Sequence, residues 1–98
     1  MNKNNTYGIE IADYRDENES KRVNLDGWTK REDAINTAWE LIEIIASFDA
    51  NLDYENQGDQ ILAFYTEGVT DKDGESLEGM GAVTVKITNP DGTYYEDL

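Results

Sequence analysis

Carboxylates are the side chains in this sequence with the widest choice of chemistry. The 98 residues include 22 Asp and Glu but only 8 Lys and Arg, and there is no histidine and no cysteine. Ser-His and Cys-His nucleophile pairs and the usual zinc sites are therefore excluded. Carboxylates alone can still act as acid–base pairs, bind hard cations, or accept hydrogen bonds from Arg and Lys.

The first two of these possibilities are not supported by residue spacing. Asp71–Glu75 begins like a calcium loop, but such a loop needs glycine at its sixth position and glutamate at its twelfth. This chain has Ser76 and Ala82 there, so we predict no metal site and no cofactor. Carboxylate pairs arise by chance among so many acids, and a short chain has little room for an enzyme's deep cleft. We predict that the protein is not an enzyme.

Phosphate and nucleic acid are not expected ligands either. Gly79-Met80-Gly81 lacks the Lys-Ser/Thr ending and the following helix of a phosphate-binding loop. The net charge of −14 repels nucleic acid and anionic membranes. We expect the bases of the only basic cluster to pair with acids of the same domain. That cluster consists of Lys21, Arg22, Lys30 and Arg31.

Charge is distributed unevenly along the chain. Residues 1–31 carry six acids and six bases, whereas residues 32–98 carry 16 acids and two bases. Between Glu32 and Asp71, both included, there are ten carboxylates and no base. A field of one sign attracts the opposite sign, so the expected partner is a basic protein with a nucleic-acid-binding groove, such as a Cas nuclease or a restriction enzyme. The alternative is that the acidity serves only solubility.

The predicted partner-binding surface combines acids of the helix, of the segment after it and of a glycine-rich loop. Carboxylates spaced along a surface can replace phosphates in charge-assisted bonds to Arg and Lys. Tyr54 is predicted to be an anchor that loses little entropy on binding. The predicted partner-binding residues are Glu40, Glu43, Asp49, Asp53, Tyr54, Glu55, Asp59, Glu67, Asp71, Asp73, Glu75 and Glu78.

One long amphipathic helix must position part of this surface. Apolar residues recur at i, i+3, i+4 and i+7 from Ala34 to Phe48, which is the pattern of a helix with one buried face. Thr29 and Glu32 fit a capping box at its start. The pattern predicts a helix from about Lys30 to Phe48.

Alternating apolar and polar residues predict the strands. The turn Asn89-Pro90-Asp91-Gly92 predicts a hairpin before the last strand, which is expected at an edge. Apolar residues on both faces of the segment that begins at Ile61 predict a central strand. The predicted strands are Thr6–Tyr14, Arg22–Leu25, Ile61–Glu67, Ala82–Thr88 and Thr93–Glu96.

Two stretches show no period. Asp49–Gln60 is predicted to be a loop with at most one helical turn, and Gly68–Gly81 a long, mobile hairpin loop. The order β(β)αβββ, with hairpins joining the last three strands, predicts an α+β fold. In it, one helix packs on an antiparallel sheet of four or five strands as a two-layer sandwich. Residues 1–98 are predicted to form a single domain.

In size, acidity and single-domain organisation the chain resembles phage-borne nucleic-acid mimics, which include restriction inhibitors and anti-CRISPR proteins. This resemblance in composition implies an inhibitor that blocks a host enzyme's nucleic-acid site. The other hypothesis is a non-catalytic interaction module that binds a protein partner or itself through its open sheet face or the edge strand Thr93–Glu96. No apolar run reaches membrane length and no apolar segment opens the sequence, so we expect a cytoplasmic location without a signal peptide.

Overall fold

The computed structural model describes residues 5–16 and 19–98. It contains one helix and one antiparallel sheet in the order β2-β1-β5-β4-β3, and β6 pairs with the end of β5 that β4 leaves uncovered. The predicted α+β arrangement of one helix packed on an antiparallel sheet is confirmed. In chain order the elements are β1 (Tyr7–Asp13), β2 (Lys21–Trp28), α1 (Arg31–Phe48), β3 (Leu52–Asn56), β4 (Ile61–Tyr65), β5 (Gly81–Thr88) and β6 (Tyr94–Tyr95).

The hydrophobic core lies between α1 and the sheet. Alternation along β5 turns every second side chain toward the helix, while Thr84 and Lys86 point to the opposite face. Alanines on the inner face of α1 let the helix approach the sheet closely. The fully buried side chains that α1 and β5 contribute from these two faces are Ala34, Ala38, Ile42, Val83, Val85 and Ile87.

The start of α1 differs from the predicted capping box. Lys30 is the N-cap residue, it has extended backbone angles, and no side chain caps the helix. The prediction that Thr29 and Glu32 form a capping box is therefore wrong. The backbone N–H groups of Asp33 and Ala34 donate to the Lys30 carbonyl, at 3.2 and 3.3 Å. Two acids in the first turn, Glu32 and Asp33, interact favourably with the positive end of the helix dipole.

The stretch Asp49–Gln60, predicted to be a loop, contains strand β3. Its five residues pair in register with β4. Tyr54 faces the helix layer, where its ring lies 6.2 Å from that of Trp39. Asp53 and Glu55 occupy the alternate positions and face the other side of the sheet. The side chains of β3 do alternate between the two faces of the sheet. The sequence does not show this, because the strand has only five residues and is rich in acids.

The glycine-rich stretch Gly68–Gly81 folds as a small hairpin of its own. Thr70 and Ser76 form an antiparallel bridge. At the tip, the Asp71 carboxylate accepts hydrogen bonds from the backbone N–H groups two and four residues later, at 2.8 and 2.9 Å. We call residues 66–80 the arm.

Two glycines are required by the backbone. Gly92 has a φ of +89° in the turn before β6, and its N–H donates to the Asn89 carbonyl at 2.9 Å, so the predicted hairpin turn is confirmed. Gly8 lies at a register shift between β1 and β2. A Cβ at this position would come within 2.7 Å of the Leu25 carbonyl oxygen, so the two strands could not approach each other as they do.

The return strand predicted at Arg22–Leu25 is present and longer, because β2 continues to Trp28. The segment Asp16–Ser20 is polar throughout, and its sequence predicts a turn. It includes residues 17 and 18, which, like residues 1–4, lie outside the described residues. Within the described part of the chain, no helix combines the length and the apolar character that crossing a membrane requires.

Candidate acidic partner-binding surface

Strand β3 forms one edge of the sheet, and acids border it on both faces. Asp53 and Glu55 lie on the face away from α1. On the helix side, the Tyr54 hydroxyl donates to Glu43 Oε1 at 3.5 Å, so this helix flank overlies β3. Glu40 lies one turn before Glu43 on the same outer surface. Together with Asp59 in the turn after β3, these exposed carboxylates form what we call the acidic edge: Glu40, Glu43, Asp53, Glu55 and Asp59.

The arm adds a second group of acids next to this edge. The Thr66 N–H donates to the Asn51 carbonyl at 2.9 Å, so the arm begins beside the start of β3. The arm is held by its own backbone hydrogen bonds, and four of its carboxylates are exposed to solvent. These are Glu67, Asp73, Glu75 and Glu78.

These nine carboxylates lie outside the ion pairs that Arg15 and Arg22 form within the described part of the chain. The ion pairs found among residues 5–16 and 19–98 join Arg15 to Asp13 and Asp49, and Arg22 to Glu10. None of the nine takes part in them. Their charge is therefore not neutralised by these two arginines and can attract the Arg and Lys side chains of a partner.

Asp49, another predicted partner-binding residue, serves the fold instead. It follows the last residue of α1, where the helix dipole is already negative and where the last turn contains no base. One carboxylate oxygen accepts the Asn51 N–H at 3.1 Å, and the other lies 3.4 Å from Arg15 Nη1. Asp49 is thus engaged within the fold, and its predicted partner-binding role stays a prediction.

Two further predicted residues are also occupied within the fold. Asp71 is partly buried and closes the tip of the arm through its hydrogen bonds to backbone N–H groups. Tyr54 is half-buried under α1 and does not project as an anchor. Its pKa is raised by burial and by the nearby charge of Glu43. Both residues have structural roles beneath the acidic surface, and the partner-binding roles predicted for them stay predictions.

The opposite edge of the sheet is less acidic. Strand β2 includes Lys21 and Arg22 against one acid, Asp26. Since β2 and β3 are the two outermost strands of the ladder, the uneven charge of the sequence becomes a gradient across the sheet. Sequence reasoning did not foresee this gradient, because it depends on the strand order.

A polar cluster on the face away from α1 was also missed. Glu10 accepts hydrogen bonds from Arg22 Nη1, at 2.8 Å, and from the Tyr94 hydroxyl. Lys86 Nζ lies 4.8 Å from the centre of the Tyr94 ring. The hydrogen bond to Glu10, followed by burial, raises the pKa of Tyr94. Strand register brings these residues together from distant parts of the sequence, and no local pattern indicates it.

The ion pair of Asp13 and Arg15 gives an acid-dependent prediction. Hydrogen bonding from Arg15 is the main cause that lowers the Asp13 pKa, against a smaller opposing effect of burial. Because the folded-state pKa is below the unfolded one, this carboxylate stabilises the fold above about pH 4, and the contribution is lost as pH falls through the folded pKa. We expect Arg15→Gln to raise the Asp13 pKa toward its ordinary value, as followed by NMR titration of the carboxyl carbon. An unchanged Asp13 pKa in this variant would contradict the assignment.

The described residues form several shallow concavities. One of about 500 Å³ lies between the arm and the end of β1, where Arg15, Tyr65 and Met80 contribute to its lining. No group of three or more acidic residues among the described positions converges as a metal site requires. Chemically, the exposed acids can accept hydrogen bonds and attract cations.

The fold and this surface define a small α+β domain with one strongly acidic side. No protein-family model, curated protein or solved structure matches the chain.

Proposed function

We propose that this protein is a cytoplasmic inhibitor that mimics nucleic acid and blocks a basic, nucleic-acid-handling protein. A Cas nuclease or a restriction enzyme is the model target. The observation that carries the proposal is the set of nine exposed carboxylates on the acidic edge and the arm, none of which takes part in the ion pairs of Arg15 and Arg22 among the described residues.

The spacing of these acids suits a groove that normally holds phosphates. Asp53 and Glu55 are two residues apart on a strand, which separates their backbones by about 6.8 Å. Glu40 and Glu43 are separated by about 4.5 Å along the helix axis. Each DNA strand carries a phosphate every 3.4 Å or so along its axis. The acidic edge therefore presents a negative charge about every one to two phosphate intervals, from a strand and a helix.

Net charge makes a protein soluble wherever on the surface the charges lie. In this structure three bases contact residues away from the acidic edge, while Lys72 lies within the arm. Arg15 neutralises Asp49 at the end of α1, and Arg22 neutralises Glu10. Arg31 lies 4.7 Å from the centre of the Tyr95 ring, at the end of the sheet where α1 begins. The β3 side is left with a concentrated negative field that can steer a basic partner.

Capture at two salt concentrations tests this proposal. The protein is immobilised and exposed to bacterial lysate and, in parallel, to a panel of purified Cas nucleases and restriction enzymes. We expect a nucleic-acid-binding enzyme to bind near 0.1 M salt and to elute near 1 M, where the screening length falls from about 10 to about 3 Å. Added DNA is expected to compete for the same enzyme. A partner retained at high salt, or one that binds DNA and this protein together, would contradict charge mimicry.

A stability control separates loss of binding from unfolding. Self-repulsion among the acids of a chain with net charge −14 destabilises the fold, and salt screens it. We therefore expect the melting temperature to rise with salt while partner binding weakens. Elution accompanied by a falling melting temperature would mean that salt releases unfolded protein.

A further inference from the structure

Strand β2 forms the second edge of the sheet, and its outward backbone groups are unpaired in the described structure. The Tyr14 N–H donates to the Ala82 carbonyl at 2.7 Å. In an antiparallel sheet, successive residues of a strand bond alternately to the neighbouring strands on its two sides. This bond therefore shows which β1 residues bond to β5 and which bond to β2. In the β1–β2 register, the N–H and C=O groups of Arg22, Asn24 and Asp26 then point away from the sheet. They form a template for another strand.

The helix leaves β2 uncovered. Every residue of β2 from Lys21 to Gly27 is exposed. Val23 and Leu25, on the same side of the sheet as α1, are 49% and 40% exposed. On α1, Ile44 is 52% exposed, and Phe48, predicted to lie in the buried stripe, is 87% exposed. Val23 and Leu25 form an apolar strip beside the open edge.

The sequence of β2 complements itself when it is reversed. In an antiparallel pair of β2 strands centred on Asn24, Arg22 of each copy lies opposite Asp26 of the other. On the helix side, Val23 lies opposite Leu25, so two apolar cross-strand pairs form. The same centre brings the outward backbone groups of both strands into hydrogen-bonded register. Charges, apolar residues and backbone groups are thus matched by a single alignment.

The β3 edge is unsuited to the same pairing. A reversed β3 pair would bring Asp53 of one copy opposite Glu55 of the other, and like charges directly opposite are destabilising. Pairing through β2 also separates the acidic edges of the two copies by nine strand spacings, about 43 Å along the sheet. This exceeds the screening length of about 8 Å at physiological salt several-fold. Dimerisation through β2 therefore avoids most of the repulsion that the net charge would cause.

We propose that two copies of the chain pair antiparallel along β2 across a two-fold axis at Asn24, which joins their sheets into one. The occupant of the exposed edge is thus a second copy of the same chain. The dimer leaves both acidic edges free at its far ends and shields the strip of Val23 and Leu25. It does not depend on the proposed inhibitory function, because none of the nine exposed carboxylates takes part in it.

Mass and cross-linking test this dimer on the full chain. Light scattering at about 0.15 M salt, where the screening length is about 8 Å, is expected to give twice the 11.1 kDa mass of the chain, with no further growth as concentration rises. The chain has no cysteine, so a single cysteine reports its own position. With a short bismaleimide, Asn24→Cys is expected to form cross-linked dimers at least tenfold faster than Asp26→Cys. In the proposed register, the two copies of residue 24 lie about 5.5 Å apart, and those of residue 26 about 14 Å apart.

Proline at the centre of the pair provides a blocking variant. The Asn24 N–H points away from β1, so Asn24→Pro removes no bond of the sheet within one copy. We expect it to weaken self-association by at least about a hundredfold and to keep the circular dichroism of the parent. A monomeric mass for the parent at all concentrations, equal cross-linking at both cysteine positions, or a mass that grows without limit would each overturn the proposal. So would a folded, dimeric Asn24→Pro variant.

Discussion

Neutralising the acidic edge is expected to weaken partner binding by about a hundredfold. The variant combines Glu40→Gln, Glu43→Gln, Asp53→Asn and Glu55→Gln. If each carboxylate contributes about 0.7 kcal/mol, within the range measured for exposed ion pairs, the four together amount to about 3 kcal/mol, or about two orders of magnitude in Kd. Titration calorimetry with the partner recovered by salt-sensitive capture measures the change directly.

These four substitutions remove charge while they keep the hydrogen bonds of the fold. Asp53 accepts its hydrogen bond from the Tyr54 N–H through one carboxylate oxygen, and Glu43 accepts that of the Tyr54 hydroxyl in the same way. The carbonyl oxygen of an amide can accept both bonds. The variant should therefore fold at least as well as the parent, since it also relieves repulsion among acids. Loss of binding can then be attributed to charge.

Glu19→Gln with Asp91→Asn is the matched control for two of the four changes. Both residues are exposed and lie on the β2 side of the sheet, opposite to the acidic edge: Glu19 precedes β2, and Asp91 adjoins Gly92, which lines a concavity with Asn24 and Asp26. If the arrangement of the acids matters, these two changes weaken binding less than twofold, whereas Asp53→Asn with Glu55→Gln weakens it about tenfold, in line with about 0.7 kcal/mol for each charge. Equal effects of the two pairs would mean that the partner responds only to net charge, and the acidic edge would lose its role.

The parts of the fold that the sequence predicted have long, regular local patterns. The helix from Lys30 to Phe48 was predicted to within one residue, because a stripe of seven apolar residues repeats over five turns. Strand β5 was predicted from a clean alternation of apolar and polar residues. The turn at Asn89–Gly92 was predicted because proline and glycine each fix a backbone angle there. In each case, several neighbouring residues give the same signal.

The parts that it missed depend on contacts between distant residues. Strand β3 has five residues, and a short alternation that includes Asp53 and Glu55 resembles an acidic loop. Pairing of β5 with β1 on one side and β4 on the other is set by tertiary packing, so the charge gradient between β2 and β3 could not be foreseen. The roles of Asp49 and Asp71 within the fold depend on where Arg15 and backbone N–H groups lie, which spacing does not reveal.

The structure divides the twelve predicted partner-binding residues into an exposed group and a group engaged within the fold. Nine of the twelve predicted partner-binding residues are exposed carboxylates, as a solvated acidic surface requires. The other three, Asp49, Tyr54 and Asp71, are used by the fold to end a helix, to pack beneath it and to close the arm. A carboxylate that accepts hydrogen bonds within the fold has fewer lone pairs left for a partner. Only the three-dimensional structure distinguishes such a carboxylate from one without partners in the fold.

Truncating Ile42 is expected to remove much of the stability of this domain. Ile42 has no exposed surface and packs in the core between α1 and the sheet. Ile42→Ala both loses transfer free energy and leaves a cavity, which together cost about 2–5 kcal/mol. A domain of this size has only about 5–15 kcal/mol in total. We expect the melting temperature to fall by about 8–40 °C, given about 4–8 °C per kcal/mol at this size, and urea unfolding to show the same loss of free energy.

Ile44→Ala is the matched control, with the same substitution two residues further along the same helix. Ile44 is 52% exposed, so little burial is lost, and alanine is the better helix former. We expect a change within about 0.5 kcal/mol when unfolding is measured at low protein concentration, where self-association does not contribute. A cost for Ile44→Ala similar to that for Ile42→Ala would mean that α1 is rotated relative to the sheet. The acidic edge would then no longer flank β3, because the same rotation positions Glu40 and Glu43.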